Sequence, residues 1–415
     1  LTVIAIIGGG IAGNEAAATA RKTDPEARIL LINEEEHPLY TPCALADYVC
    51  GDLPRERLFL TRMEDYERNK IETLFSAPVH GWAPDRRTLN LDDRQLSYDR
   101  LILATGSRPF IPPIPGTKLT GVHTLKTLQD ADRLRQQTGK HAVVIGSGPI
   151  GIETAIALKE KGFRVTIVEQ LDGVLRLLFD RELSQSLGQR MLAREIDLCL
   201  GEKAVEICGH ERVEGVKTNQ RELAADTVVF AIGMRPETAL ATSAGVELGA
   251  HKGIRVNEKM ETSLPGVYAC GDCVEYYSST LKQTGLHMLW NNARIQGRIA
   301  GANAAGAARR YSGNIVITNV NVFDDAAASI GLTSAQVPED ERKVLHRIGP
   351  SGELYLVLQK NRLSGVQAIG CTGRLGSLMG VMVRGDALGD MSIPDDVKRQ
   401  QWALRSLNRE LSQLL

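Results

Sequence analysis

The first residues able to do chemistry are glycines at fixed offsets. Gly8, Gly10 and Gly13 follow the apolar run Val3-Ile4-Ala5-Ile6-Ile7 in a G-x-G-x-x-G pattern and open an alanine-rich stretch. This pattern suits a pyrophosphate: the first glycine permits a tight turn, the second lets backbone approach the phosphates, and the third lets a helix close on the strand. The helix N-terminus then presents unpaired N–H groups to the anion. Glu34, just past the run Arg28-Ile29-Leu30-Leu31-Ile32-Asn33, supplies a carboxylate for a ribose 2′-hydroxyl. The device recurs downstream, where Gly146, Gly148 and Gly151 follow His141-Ala142-Val143-Val144-Ile145, and Glu169 closes the run Arg164-Val165-Thr166-Ile167-Val168. A carboxylate at 169 accepts the 2′-hydroxyl of NAD and repels a 2′-phosphate, so NAD is expected there. Two such devices imply two dinucleotides.

The cysteines are the other reactive set. There are seven of them, an odd number widely spread in a chain too large to need disulfide staples. Cys43 and Cys50 have six residues between them. On a single helix that is two turns, a rise of roughly 10 Å, which is beyond the reach of a disulfide. Cys270 and Cys273 form a C-x-x-C, and Cys199 and Cys208 sit among apolar residues as packing.

A chain of 415 residues is long for one core and predicts two to three domains. Lysine plus arginine total 49 against 50 aspartate plus glutamate, a net of −1, which gives no electrostatic footprint for nucleic acid or an anionic membrane. No apolar run is long enough to span a bilayer, and the first strand begins at residue 3, leaving no room for a signal peptide; a cytoplasmic location is expected.

The elements that must position these groups read as α/β. Residues 35–51 predict a turn and then a short helix, and residues 55–70 a solvated helix. A buried strand ends in the turn Ala104-Thr105-Gly106, and the proline-rich stretch 109–116 is a linker. Residues 226–236 echo that strand and turn at Ala231-Ile232-Gly233, and Ala269-Cys270-Gly271-Asp272 ends another short strand. Residues 286–305 read as a helix. Strands alternate from about 319, clearest at 353–358, with a final helix after Pro394. Gly370 to Ser377 is glycine-rich but lacks a P-loop's lysine-serine or lysine-threonine, so it reads as a plain loop.

The two glycine devices, the turns at Thr105-Gly106 and Gly233, and the Gly271-Asp272 ending together resemble the two-dinucleotide-domain flavoproteins of the pyridine nucleotide-disulfide oxidoreductase type, over about residues 3–305. The resemblance implies two Rossmann-like domains: an FAD domain of residues 1–115 and 251–318, and an NAD domain of residues 116–250 inserted in it. Residues 319–415 would form an α+β interface domain, which usually pairs subunits, so a homo-oligomer is possible. It also implies that Gly8, Gly10 and Gly13 cradle FAD, with Glu34 on its ribose, and that Thr105, Gly106, Gly233 and Gly271 belong to cofactor-binding turns. Asp272 matches the aspartate that bonds the flavin's ribityl chain; the alternative is a turn aspartate capping a following helix. Gly146, Gly148, Gly151 and Glu169 would take NAD. Glu153 matches an acidic residue near the nicotinamide, and Trp290 would neighbour the flavin or pack in the core.

Where the electrons go is framed by the same resemblance. Glutathione-reductase-like members place four residues between their redox cysteines, unlike Cys43 and Cys50, and the Gly-Asp inside the C-x-x-C belongs to the flavin motif, leaving Cys270 and Cys273 as small buried residues. Cys43-Ala44-Leu45-Ala46-Asp47-Tyr48 is similar to the segment bearing the lone flavin-facing cysteine of coenzyme A disulfide reductases and NADH oxidases, where a helix N-terminus acidifies the thiol. Ile11 stands where peroxide-handling members carry histidine. Tyr40, Pro42 and Leu45 are similar to the turn of ferredoxin and rubredoxin reductases. There Asp47 replaces a lysine that pairs with the glutamate matching Glu153, and two nearby carboxylates would raise one pKa. The resulting expectation is an FAD-dependent oxidoreductase exchanging hydride with NAD(H) and electrons with an iron–sulfur protein, or within a larger complex of the phenylglyoxylate-dehydrogenase kind, in either direction. No cysteine cluster of iron–sulfur spacing occurs, so any cluster belongs to another chain. The alternatives are a coenzyme A disulfide or other disulfide reductase using Cys43, and a cofactor-binding regulatory or scaffold subunit.

Overall fold

The computed structural model describes residues 1–92, 94–278, 283–313 and 315–385. The chain forms two units. The first comprises Leu1–Phe110, Lys126–Leu128 and Met234–Ile315; the second comprises Ile111–Leu125, Gln129–Gly233 and residues 316–385.

In the first unit, the apolar runs become parallel strands covered on both faces, which is why they read as unbroken hydrophobic stretches rather than alternating ones. Val3–Ile7 lies between Arg28–Ile32 and Arg100–Leu103, with Ile7 opposite both Ile32 and Leu103. Val267–Ala269 and Ile71–Leu74 complete a five-stranded sheet. The helix Ile11–Thr23 packs on the helix Trp290–Ala304 through small residues. A Cβ at Gly297 or Gly301 would overlap the carbonyls of Ala12 or Ala16, so glycine sets the close approach of the two helices. Glu15 clasps the pair, taking Arg294 at 2.7 Å and Arg298 at 2.8 Å.

The second unit repeats the plan. His141–Ile145 lies between Arg164–Glu169 and Thr227–Phe230, with Ile196–Leu200 and Val122–His123 at the edges of a second parallel sheet. Five antiparallel strands from Ile317–Val322 to Arg362–Ile369 form a further sheet of this unit. The residues before and in helix Arg181–Ala193 bind that sheet: Asp180 and Gln367 exchange hydrogen bonds of 2.6 and 2.7 Å, and Arg190 meets Asp325 at 2.7 Å.

The α/β class and the two parallel sheets are as expected, and details differ. Residues 234–250, placed by sequence with the inserted domain, lie in the first unit, because Met234–Pro236 pairs antiparallel with Ser107–Pro109. Residues 55–70 are two short pieces, Arg55–Leu58 and Met63–Arg68, since Tyr40 bridges to Phe59 and pulls the chain extended between them. The helix expected from 286 starts at Trp290, and Gly370–Ser377 includes the start of helix Leu375–Arg384 rather than being all loop. The helix expected after Pro394 lies outside the described residues. Among the described residues, no helix is long and apolar enough to cross a membrane.

Candidate functional site

All strands of a parallel sheet end on one side, so the residues just past their carboxyl ends converge. In the first unit these are Gly8, Asn33 and Glu34, Ala104 to Gly106, and Cys270 to Asp272. Gly8 has φ +115° and leaves no room for a Cβ, which would overlap the Ala104 carbonyl; a Cβ at Gly13 would overlap the Gly8 carbonyl. Gly10 is the contrast, because a Cβ there meets nothing within 4 Å. Its backbone faces open space beside a helix N-terminus that no side chain caps. This is the arrangement a pyrophosphate needs: closed toward the sheet, open outward, lined by unpaired N–H groups. The geometry therefore fits the dinucleotide that the glycine spacing predicts.

Two amides brace this turn. Asn33 Oδ1 accepts the Gly9 N–H at 3.2 Å, and Asn14 Nδ2 donates to the carbonyls of Gly9 at 2.7 Å and Gly10 at 3.1 Å. Glu34, one residue further, is exposed at the sheet's end. Asp272 follows Gly271, whose φ is +84°. Its carboxylate accepts the Ser107 hydroxyl at 2.8 Å and lies 3.5 Å from Lys126. The capping alternative fails, because strand Val274–Ser278 follows it rather than a helix. Gln296 Oε1 holds the Gly271 N–H at 2.9 Å. Thr105 Oγ1 donates to the Glu237 carbonyl at 2.6 Å, and the Gly106 carbonyl accepts the Glu237 N–H at 2.9 Å, which fixes this turn to the returning strand.

The second unit's turn is built alike. Gly146 has φ +103° against the Ala231 carbonyl, Gly151 closes on Gly146, and Gly148 faces open space at an uncapped helix N-terminus. Gly233, with φ +104°, follows the neighbouring strand. Glu169, the expected 2′-hydroxyl acceptor, also braces its turn. Its carboxylate accepts the Ser147 N–H at 2.9 Å and hydroxyl at 2.7 Å on one oxygen, and the Leu171 N–H at 2.9 Å on the other. Register explains it: the N–H groups of Gly8 and Gly146 bond to the carbonyls of Ile32 and Val168, so Glu169 corresponds to Asn33, the brace, and not to Glu34. Glu153 is half-buried on helix Pro149–Glu160, four residues past its start, within the same unit.

Cys43 is the exposed member of the seven cysteines, none of which is in a disulfide. It sits in a single 3-10 turn, Pro42–Ala44, and the helix proper is Leu45–Cys50, so the two cysteines expected on one helix lie on different elements. The break follows from Pro42, which starts a turn readily but offers no N–H. Cys270 and Cys273 are fully buried, and that burial pushes both thiols up, away from thiolate chemistry. Burial, with Asp52 nearby, raises the Asp47 carboxyl. Trp290 is half-buried at the start of its helix. Asn14, Asn33, Ser107, Lys126 and Ser147 were not singled out by sequence; for Asn33 the available signal was its place directly after an apolar run.

Residues 2–297 match the family model described as pyridine nucleotide-disulphide oxidoreductase. An NADH oxidase of Methanocaldococcus jannaschii is 34% identical over 74% of this chain and 70% of its own. A CoA-dependent NAD(P)H sulfur oxidoreductase of Pyrococcus abyssi is 31% identical over 88% of this chain and 87% of its own. The epsilon subunit of an NADH-dependent phenylglyoxylate dehydrogenase from Aromatoleum evansii is 32% identical over 80% of each chain. Among solved structures, an NAD-dependent persulfide reductase from A. fulgidus superposes with a TM-score of 0.88 at 27% identity, covering 99% of this chain and 84% of that one.

Proposed function

The chain belongs to the pyridine nucleotide-disulphide oxidoreductase family and is a flavin-dependent NAD(P)H oxidoreductase using FAD and NAD(H); from that premise we propose that it reduces a disulfide or persulfide through Cys43. The supporting observation is the placement of Cys43, an exposed cysteine on the first unit whose segment is tied to the first glycine turn. In this reading Gly8, Gly10 and Gly13 hold the FAD pyrophosphate, Glu34 its ribose and Asp272 its ribityl chain. Gly146, Gly148 and Gly151 hold NAD, with Glu169 shaping their turn, and Glu153 faces the nicotinamide.

Bound FAD supplies a two-electron relay between the nicotinamide and sulfur. The protein's part is to bind, orient and supply the thiol. Cys43 sulfur attacks one sulfur of the substrate, the S–S bond breaks, and the departing thiolate takes a proton from water. With FAD and NADH bound, their electron pair would reduce the remaining mixed disulfide held on Cys43 and restore the thiol. The balance is NADH, a proton and RSSR′ giving NAD, RSH and R′SH. Coenzyme A disulfide or persulfide fits this class, as the name of the Pyrococcus relative suggests. A cytoplasmic location belongs to the same reading.

A second reading, delivery of electrons to an iron–sulfur partner in a larger complex, is favoured by the Aromatoleum relative, itself a dehydrogenase subunit. Cys43→Ser separates the two. Under the thiol reading, the NADH-reduced variant is re-oxidised by coenzyme A disulfide at least a hundredfold more slowly than the wild type, while viologen dye re-oxidises both alike. Equal re-oxidation by the disulfide would refute the thiol reading, and fast electron exchange with ferredoxin would then support the second.

A further inference from the structure

One buried hydroxyl joins three stretches of the first unit that are far apart in sequence. Tyr66, on helix Met63–Arg68, is 3% exposed. Its Oη donates to Asn14 Oδ1 at 2.7 Å and accepts the Leu39 N–H at 3.2 Å. Burial pushes the phenol up, so it remains a donor at any working pH. Asn14 spends the other end of its amide on the Gly9 and Gly10 carbonyls. The phosphate-binding turn is thus wired through two side chains to the backbone of Leu39, four residues before Cys43.

Leu39 passes that constraint on. Its carbonyl accepts the Leu60 N–H at 2.8 Å, and the Thr41 N–H reaches the Leu58 carbonyl at 2.9 Å. Tyr40 Oη donates to Glu35 at 2.8 Å and accepts the Leu128 N–H at 3.0 Å. Between this clamp and Cys43 only Thr41 and Pro42 intervene, and proline has a fixed φ. The thiol has little slack.

We propose that Asn14 and Tyr66 are positioning residues that hold the Cys43 segment at a fixed place relative to the FAD phosphate turn, so that anchoring the cofactor also aligns the thiol. This rests on the reading of Cys43 as the electron exit. The two ends of the link can be separated. Tyr66→Phe removes the contacts to Leu39 and to Asn14 Oδ1 and leaves the Asn14 contacts to the glycine turn. Asn14→Asp keeps an acceptor for Tyr66 and loses both donors to Gly9 and Gly10.

The test uses full-length protein saturated with FAD. Three quantities are read: FAD affinity, the rate at which NADH bleaches the flavin, and the rate at which iodoacetamide alkylates Cys43, located by peptide mass spectrometry. Tyr66→Phe should hold FAD within threefold of the wild type and bleach at the wild-type rate. Its Cys43 alkylation should change at least fivefold, and re-oxidation by coenzyme A disulfide should slow about tenfold. Asn14→Asp, which cuts the same link at the glycine turn, should bind FAD at least tenfold more weakly and, once saturated, shift Cys43 alkylation in the same direction as Tyr66→Phe. Unchanged alkylation in Tyr66→Phe, or wild-type alkylation in saturated Asn14→Asp, would overturn the link. Should Tyr66→Phe fail to retain FAD, the Asn14→Asp result decides alone. If Cys43→Ser proves indifferent to the disulfide, the exit reading falls, while the alkylation rates still judge the link.

Discussion

Gly148 and Gly151 stand three residues apart in the second glycine turn, yet alanine should fail at them for opposite reasons. At Gly148 the backbone is extended, with φ −69° and ψ 178°, and a Cβ meets nothing within 4 Å. Gly148→Ala gains about 0.4–1 kcal/mol from a less flexible unfolded chain. It gives up a similar amount, about 1 kcal/mol or less, as a poorer helix N-cap. Thermal stability should therefore stay within about 2 °C of the wild type. The methyl group nonetheless occupies the space through which backbone would approach the pyrophosphate, and NADH affinity should fall at least about tenfold, or about 1.4 kcal/mol. At Gly151 a Cβ would overlap the Gly146 carbonyl oxygen and lie 3.3 Å from Ala231 Cβ, so the helix must lift from its strand. Such overpacking costs about 1–3 kcal/mol, offset by about 1 kcal/mol of helix propensity. A net loss of up to about 2 kcal/mol lowers the midpoint by up to about 8 °C. The assay pairs thermal unfolding with rapid-mixing titration of flavin bleaching against NADH, since the FAD turn is untouched in both variants. A Gly148→Ala protein with wild-type NADH affinity would refute the assignment of that open space to phosphate, and a Gly151→Ala protein more stable than the wild type would refute the packing argument.

Two further outcomes follow from buried polar groups. Gln367→Leu removes both bonds to Asp180; the loss should be about 1–3 kcal/mol, read as a lower unfolding midpoint with FAD content unchanged. Among the described residues, His287 has a buried Nε2 without a hydrogen-bond partner, and its ring stacks edge-on against Tyr276 at 5.6 Å. Burial holds its pKa below the ordinary value of 6.5, so the unfolded chain takes up the proton first. Stability is then lost as pH falls below about 6.5 toward the folded value. His287→Phe should flatten the pH dependence of the midpoint between about pH 7 and 5; an unchanged slope would show that the imidazole does not carry it.

The parallel units were legible because strands buried on both faces leave continuous apolar runs, and because Gly8 and Gly146 must adopt positive φ while Gly13 and Gly151 must lack a side chain. Those constraints are local and write themselves into residue type. The contact of Glu169 with Ser147 was not legible, since it depends on register. Only the paired strands reveal that the counterpart of Glu169 in the first unit is Asn33. The link from Asn14 to Tyr66 spans 52 residues and has no periodic signature. The split of residues 55–70 was hidden because their charges fit a solvated helix, whereas the bridge from Tyr40 to Phe59 is a tertiary contact that overrides local preference.

Anaerobic titration of the purified, FAD-loaded chain with NADH tests most directly whether the two glycine turns serve one hydride transfer. The flavin band should bleach to completion at one equivalent of NADH per bound FAD, and Gly10→Ala should purify with little or no FAD. Tight NADH binding that leaves the flavin oxidised, or a Gly10→Ala protein as yellow as the wild type, would contradict the account.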